Sequence, residues 1–159
     1  MIRLPDLSIH LLKSLFARFS IVLVVVALAA CNGPSENRVV LHTESGDHTF
    51  EVELADTPAQ HQRGLMFRQN LADNAGMLFD FHEESLRGFW MQNTYIPLDI
   101  IFVDKAGVIK TIHENAVPRD TTQIPSRVPV RFVLEIPGGR ASEIGLKEGD
   151  LLDHPRVEK

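Results

Sequence analysis

From His48 to Leu54 apolar residues fall at every second position, with Phe50, Val52 and Leu54 on one side and Glu51 and Glu53 on the other. That period fits a strand with one face in a core and the other in water; a helix does not fit it. The segment before it, Arg38–Thr43, is rich in β-branched residues, and Ser45-Gly46-Asp47 between them is turn chemistry. The pair is expected as a hairpin.

The rest of the chain follows the same pattern of short runs and tight turns. Met77–Phe81, Phe89–Asn93 and Leu98–Val103 read as strands, the last apolar on both faces and so expected inside a sheet. Lys105-Ala106-Gly107 turns into Val108–His113, a second hairpin. Val130–Ile136 places Phe132, Leu134 and Ile136 inward and Arg131, Val133 and Glu135 on the other face, and Leu151-Leu152 is a last short strand. Helix signals are few. Thr57 can cap a helix that starts at Pro58, Gln60 completes a capping-box spacing, and the helix should run through Gln62 and stop near Gly64. Ala141–Ile144 is one further turn. Residues 115–129 hold Pro118, Pro125 and Pro129 and are expected as a loop long enough to carry function. The fold class that follows is mainly β: a small sandwich or barrel-like single domain with one or two short helices.

The N-terminus obeys a different logic. Arg3, Lys13 and Arg18 precede an apolar segment, Ile21 to Ala30, that is too short to span a bilayer, which takes roughly 20 apolar residues. Leu28-Ala29-Ala30-Cys31 closes it, and Cys31 is the only cysteine of the chain. This junction resembles the lipobox of bacterial lipoproteins, whose cysteine is acylated and becomes the first residue of the mature protein. The expected organisation is a signal peptide over residues 1–30, a lipid-anchored tether over 31–37 with Gly33, Pro34 and Ser35, and one domain over 38–159. Each buried methylene of an acyl chain contributes about 0.8 kcal/mol, so two or three chains would fix the protein to a membrane. The expected place is the cell envelope, on the periplasmic side of the inner or outer membrane; Asn32 after the cysteine leaves the choice of membrane open.

Charge narrows the partners. The chain carries 16 basic and 21 acidic residues; the first thirty take three of the former and one of the latter, leaving 13 against 20, a net −7. An acidic domain without a basic cluster does not suit nucleic acid. The histidines of the mature part (His42, His48, His61, His82, His113 and His154) show no paired metal-ligand spacing, and no phosphate-binding loop, dinucleotide fingerprint or nucleophile elbow is present. No cofactor and no metal are therefore expected. Met66, Met77 and Met91 could offer soft thioethers to copper, but each is flanked by Leu, Phe or Trp, as gap-fillers in a core are.

Chemistry-bearing residues gather in mid-chain. Gly64-Leu65-Met66-Phe67-Arg68, Gly76-Met77-Leu78-Phe79, Phe89-Trp90-Met91-Gln92-Asn93-Thr94, Pro97-Leu98-Asp99, Val133-Leu134-Glu135 and Gly149-Asp150 follow in order. In order and spacing these resemble the domain of unknown function 192 family, from Val39 to Leu152. The resemblance implies a small, mainly β fold, often exported, with no established reaction.

Arg68, Trp90, Asn93, Asp99 and Glu135 are the candidate ligand-binding residues, Trp90 as a stacking platform and the others as hydrogen-bond or charge partners. Each also has a structural reading. Trp90 could plug the core while Asn93-Thr94 ties a turn. Arg68, Asp99 and Glu135 sit among apolar residues, where charge must pair, for example Arg68 with Asp99 or Arg131 with Glu135. The expected role is a binding or accessory module for a small polar ligand, an envelope carbohydrate or a partner protein. Two alternatives stand beside it: an envelope hydrolase using Asp99 and Glu135, and a purely structural partner of a membrane complex. No catalytic residue is assigned.

Overall fold

The computed structural model describes residues 35–158. The signal segment, Cys31 and most of the tether lie outside the described residues.

β1 (Arg38–Thr43) and β2 (Gly46–Ala55) form the expected hairpin, in register from Arg38 against Glu51 to Thr43 against Gly46. Helix α1 (Pro58–Arg63) follows at once. Thr57 caps it: its hydroxyl accepts from the Gln60 N–H, and the Gln60 side chain reaches back to the Thr57 N–H at 3.0 Å. Gly64 ends it at φ 47° and ψ −136°, a conformation that only glycine holds without strain. The chain then crosses to β3 (Ala75–Ser85), which lies parallel to β2; every other strand pairing is antiparallel.

β4 (Gly88–Phe89), β5 (Leu98–Val103), β6 (Ile109–Ala116), β7 (Ile124–Pro125), β8 (Val130–Pro137), α2 (Arg140–Glu143) and β9 (Leu151–Asp153) complete the domain. Seven strands form one sheet in the order β6-β5-β8-β3-β2-β1-β9, and β4 and β7 form a separate two-stranded ribbon. The large sheet curls until its two edges meet. Val108, at the foot of β6, bridges Leu151 of β9, and the Leu152 N–H donates to the Gly107 carbonyl at 2.8 Å. Edge strands that would otherwise offer unpaired backbone are thereby partly closed. The mainly β, barrel-like reading holds.

Both faces of the central strands are covered, which explains the continuous apolar run of β5. Inside the curl lie Leu41, Phe50, Leu78, Ile101, Phe132 and Leu134. The outer face carries Met77, Phe79, Ile100, Phe102 and Val133, roofed by Leu65 and Met91 from the connecting segments. One expectation fails here. Phe89–Asn93 is not a five-residue strand: pairing stops at Phe89, and Asn93 turns into the left-handed region at φ 57°. Asparagine tolerates that conformation, and here it turns the chain away from the strand direction. The 115–129 segment is mostly loop as expected, with β7 inside it to pair β4.

Candidate functional site

Register decides which side chains can meet. Glu135 on β8 is directly opposite Met77 on β3 and Ile100 on β5, so its carboxyl rises from the outer face of the sheet. Asp99 is one residue from Ile100 and pairs with Ile136, so it projects from the other face. The two carboxylates therefore point to opposite sides of one sheet, and the hydrolase reading built on Asp99 and Glu135 is withdrawn.

Asp99 is fully buried and holds backbone together. Its Oδ1 accepts from the N–H groups of Asn115 and Gly139, each at 2.8 Å, and its Oδ2 accepts from Ala141 at 2.7 Å. Neither expected ion pair forms. Arg68 reaches out to Glu53 of β2, its Nη2 donating to Oε1 at 2.6 Å. Arg131 pairs instead with buried Asp80, its Nε donating to Oδ1 at 3.0 Å.

Glu135 is left without such help. It is 5% exposed, and its Oε2 is buried with no hydrogen-bond partner among the described residues. Burial pushes its pKa up to about 8, so at neutral pH the group is mostly a neutral acid. An orphaned buried polar atom costs about 1–3 kcal/mol, and such atoms are rare enough in native proteins to need a reason.

The reason lies above it. Glu135 is the floor of a cavity of about 290 Å³ walled by Phe79, Phe81, Phe89 and Trp90, with His61, Arg63 and Met66 along the side of α1 and the turn after it. Trp90 is half exposed, so it is neither a core plug nor a free surface residue. Beyond it a second hollow of about 340 Å³ continues past Arg63, Met66, Phe67, Gln92 and Asn93. Trp90 forms part of both.

The surroundings are rigid where it matters. His61 Nε2 lies 3.1 Å from the carbonyls of both Ala55 and Asp80; since these oxygens only accept, Nε2 carries the hydrogen. Its ring packs on Phe81 at 4.3 Å between centroids, and Phe79 meets Phe89 edge-on at 5.0 Å. The Trp90–Thr94 turn is fastened by Met91 N–H to Asp120 and by Arg119 N–H to Thr94. Phe67 is 54% exposed at φ 66°, and its N–H donates to the Asn93 carbonyl at 2.8 Å. A bulky exposed residue held left-handed beside a cleft is backbone strain of the kind that gathers at binding sites.

A family model for DUF192, described as "Uncharacterized ACR", matches residues 40–154. The chain belongs to the domain of unknown function 192 family. Crystal structures of two similar proteins share the fold. A "putative transcription regulator" from Sinorhizobium meliloti 1021 is 47% identical, with a TM-score of 0.72 over 76% of this chain and 95% of that one. A protein of unknown function from Novosphingobium aromaticivorans DSM 12444 is 41% identical, with a TM-score of 0.73 over 77% of this chain and 94% of that one. No curated protein matches the chain.

The DUF192 motifs of this chain separate into two jobs. Trp90, Asn93 and Glu135 come together along the cleft, whereas Arg68 and Asp99 do not. Met77 and Met91 are buried in the core, and Met66 alone of the three lines the cleft. Among the described residues no group of three or more His, Cys, Asp or Glu side chains could hold a metal ion. His61, Arg63, Met66 and Phe67 were missed as site residues. The sequence does hold a signal for them: the Gly64–Arg68 motif directly follows the capped helix.

Proposed function

We propose that this protein is a lipid-anchored binding module of the cell envelope whose cleft takes a small organic ligand. Trp90 supplies a stacking face, and Glu135 is the polar anchor at the bottom. One observation carries the reading: Glu135, whose buried Oε2 has no partner among the described residues, lines a cavity with aromatic walls. Ligand sites are typically concave and largely apolar with a few placed polar groups, and this cavity is at the small end of their range of about 300–1,000 Å³. A purely structural partner would instead present a broad apolar patch.

Trp90 is the only tryptophan of the chain, so intrinsic fluorescence reports on the cleft directly. The test is a titration with choline chloride, N-acetylglucosamine and succinate as cationic, neutral and anionic probes, read by fluorescence and by calorimetry. A saturable change with one charge class, lost as binding heat in Trp90→Ala, supports the reading. No saturable signal from any class defeats it.

The anchor is tested separately. Cys31→Ser should move the protein from the membrane pellet to the soluble fraction, and an acylated N-terminal peptide should appear by mass spectrometry in the wild type alone. A serine variant that sediments as before ends the lipoprotein reading.

A further inference from the structure

The geometry points to a methylated ammonium group as the part of the ligand that enters the cleft, with Glu135 as its counter-charge and Phe79, Phe89 and Trp90 as its walls. The inference rests on the binding reading above and names its ligand class.

The other buried acids of the sheet already have partners: Asp80 has Arg131 and Arg156, and Asp99 has three backbone N–H groups. Glu135 has no such partner among the described residues, which leaves the place to a ligand or a proton. The walls favour a cation, because aromatic ring faces carry negative potential and attract ammonium groups that have shed water.

Hydrogen-bonding capacity narrows the class. A primary ammonium or a polyol brings several N–H or O–H groups, each needing an acceptor. The inner wall offers few. Its side-chain acceptors are Glu135, Thr94 Oγ1, Gln62 Oε1 and the second ring nitrogen of His61, and the ring walls add none. A methylated ammonium brings one positive charge and no donors, or one, which suits a pocket with one free carboxyl and ring walls. A cavity of about 290 Å³ has room for the head of such a ligand. The remainder would lie across Trp90 in the second hollow, where exposed Arg63 suits an anionic substituent.

The ionisable groups that line the cavity with Glu135 are His61 and Arg63, both from α1; β3 and β4 contribute Phe79, Phe81, Gly88 and Phe89, which carry no charge. Ionising Glu135 to meet a cation therefore requires it to release its proton to solvent. Choline, whose charge is permanent, isolates that step.

The experiment is calorimetry of the full-length lipoprotein in detergent with choline chloride from pH 6 to 9, at constant ionic strength with sodium as the control cation. Affinity should rise by about tenfold per pH unit below about 8 and level off above it, with close to one proton released per choline at pH 7. Glu135→Gln should weaken binding at least tenfold at pH 8 and flatten the pH profile. The wild-type profile stands as evidence even if that variant folds poorly. Vesicles of phosphatidylcholine, compared with phosphatidylglycerol, separate a lipid headgroup from a free solute; phosphatidylcholine and free choline both carry the proposed group. A neutral sugar that binds with affinity falling above pH 8, while choline does not bind, overturns the cationic class and leaves the binding reading intact. Choline binding that is equal in wild type and Glu135→Gln overturns the role of the carboxylate.

Discussion

The carboxylate of Asp99 and the backbone N–H of Ala141 meet at 2.7 Å across 42 residues of chain. This bond docks α2 against the end of β5, while the other oxygen of Asp99 takes the N–H groups of Asn115 and Gly139. The end of β6 and the segment that joins β8 to α2 thus converge on one fully buried carboxylate of β5. Charge-assisted hydrogen bonds of this kind are about twice as strong as neutral ones.

Removing that anion should loosen the domain without touching the cleft, which is on the other face of the sheet. Asp99→Ala leaves three backbone donors to find new partners, at about 1–3 kcal/mol for each that stays buried and unpaired. Urea unfolding should show a loss of about 3–5 kcal/mol, less than three full penalties because water can enter. Ligand affinity of the remaining folded protein should be unchanged. A loss under 1 kcal/mol would mean that Asp99 is not the staple described.

Glu135 makes stability depend on pH in a specific direction. In the unfolded chain the group ionises near 4.5; in the fold it does so only near 8. Below about 4.5 both states hold the proton, and the fold has its full stability from this group. As pH rises through the window to about 8, the unfolded chain loses the proton first and stability falls, by up to about 1.4 kcal/mol per pH unit. Glu135→Gln should remove this slope from denaturation curves at pH 5, 6, 7 and 8. Equal slopes in both proteins would show that the carboxyl is hydrated.

Asp80 acts with the opposite sign. Burial pushes its pKa up, but hydrogen bonds from Arg131 and from the His82 N–H, with the charges of Arg131 and His82, hold it below the usual carboxylate range. Its contribution is complete above the ordinary aspartate value and is lost as pH falls through the lowered one. Arg131→Met strips two of its donors and should cost about 2–4 kcal/mol near neutral pH. That cost should shrink as pH falls below the ordinary aspartate value and Asp80 takes a proton. A cost that is constant with pH would assign the effect to lost packing of Arg131 over Phe132, whose ring centre is 4.7 Å away.

The sequence carried the strands because alternation such as Phe50-Val52-Leu54 and the two-sided run of β5 are local signals. It carried α1 because capping box, proline and glycine all fall within eight residues. It could not separate Asp99 from Glu135. Each is one carboxylate within an apolar stretch, and only the β5–β8 register places them on opposite faces. The arginine pairings failed for the same reason: Arg68 with Glu53 and Arg131 with Asp80 are contacts across 15 and 51 residues, set by strand order rather than by spacing. Phe89-Trp90-Met91 is an apolar run that reads as a strand, but the Met91 N–H is taken by the Asp120 carbonyl and the Asn93 carbonyl by the Phe67 N–H.

Gly64 links the helix cap to the cleft and gives the most direct test of how closely the site is built. A Cβ there would lie 3.2 Å from Phe79 Cζ and 3.7 Å from Glu135 Oε2, and φ of +47° with ψ of −136° is closed to side chains in any case. Gly64→Ala must therefore shift α1 or the Phe79 ring, and both are walls of the cavity. The strain should cost about 1–3 kcal/mol. Because it falls at the mouth of the cleft, the loss of ligand affinity should be larger than the loss of stability, and Trp90 emission in the free protein should change. Gly145→Ala is the control: that glycine has a similar φ of +67°, and nothing lies within 4 Å of its added Cβ. It should lose stability by a comparable amount and keep its affinity. If the two variants lose affinity equally, the damage is general and the cleft is not shaped by Gly64.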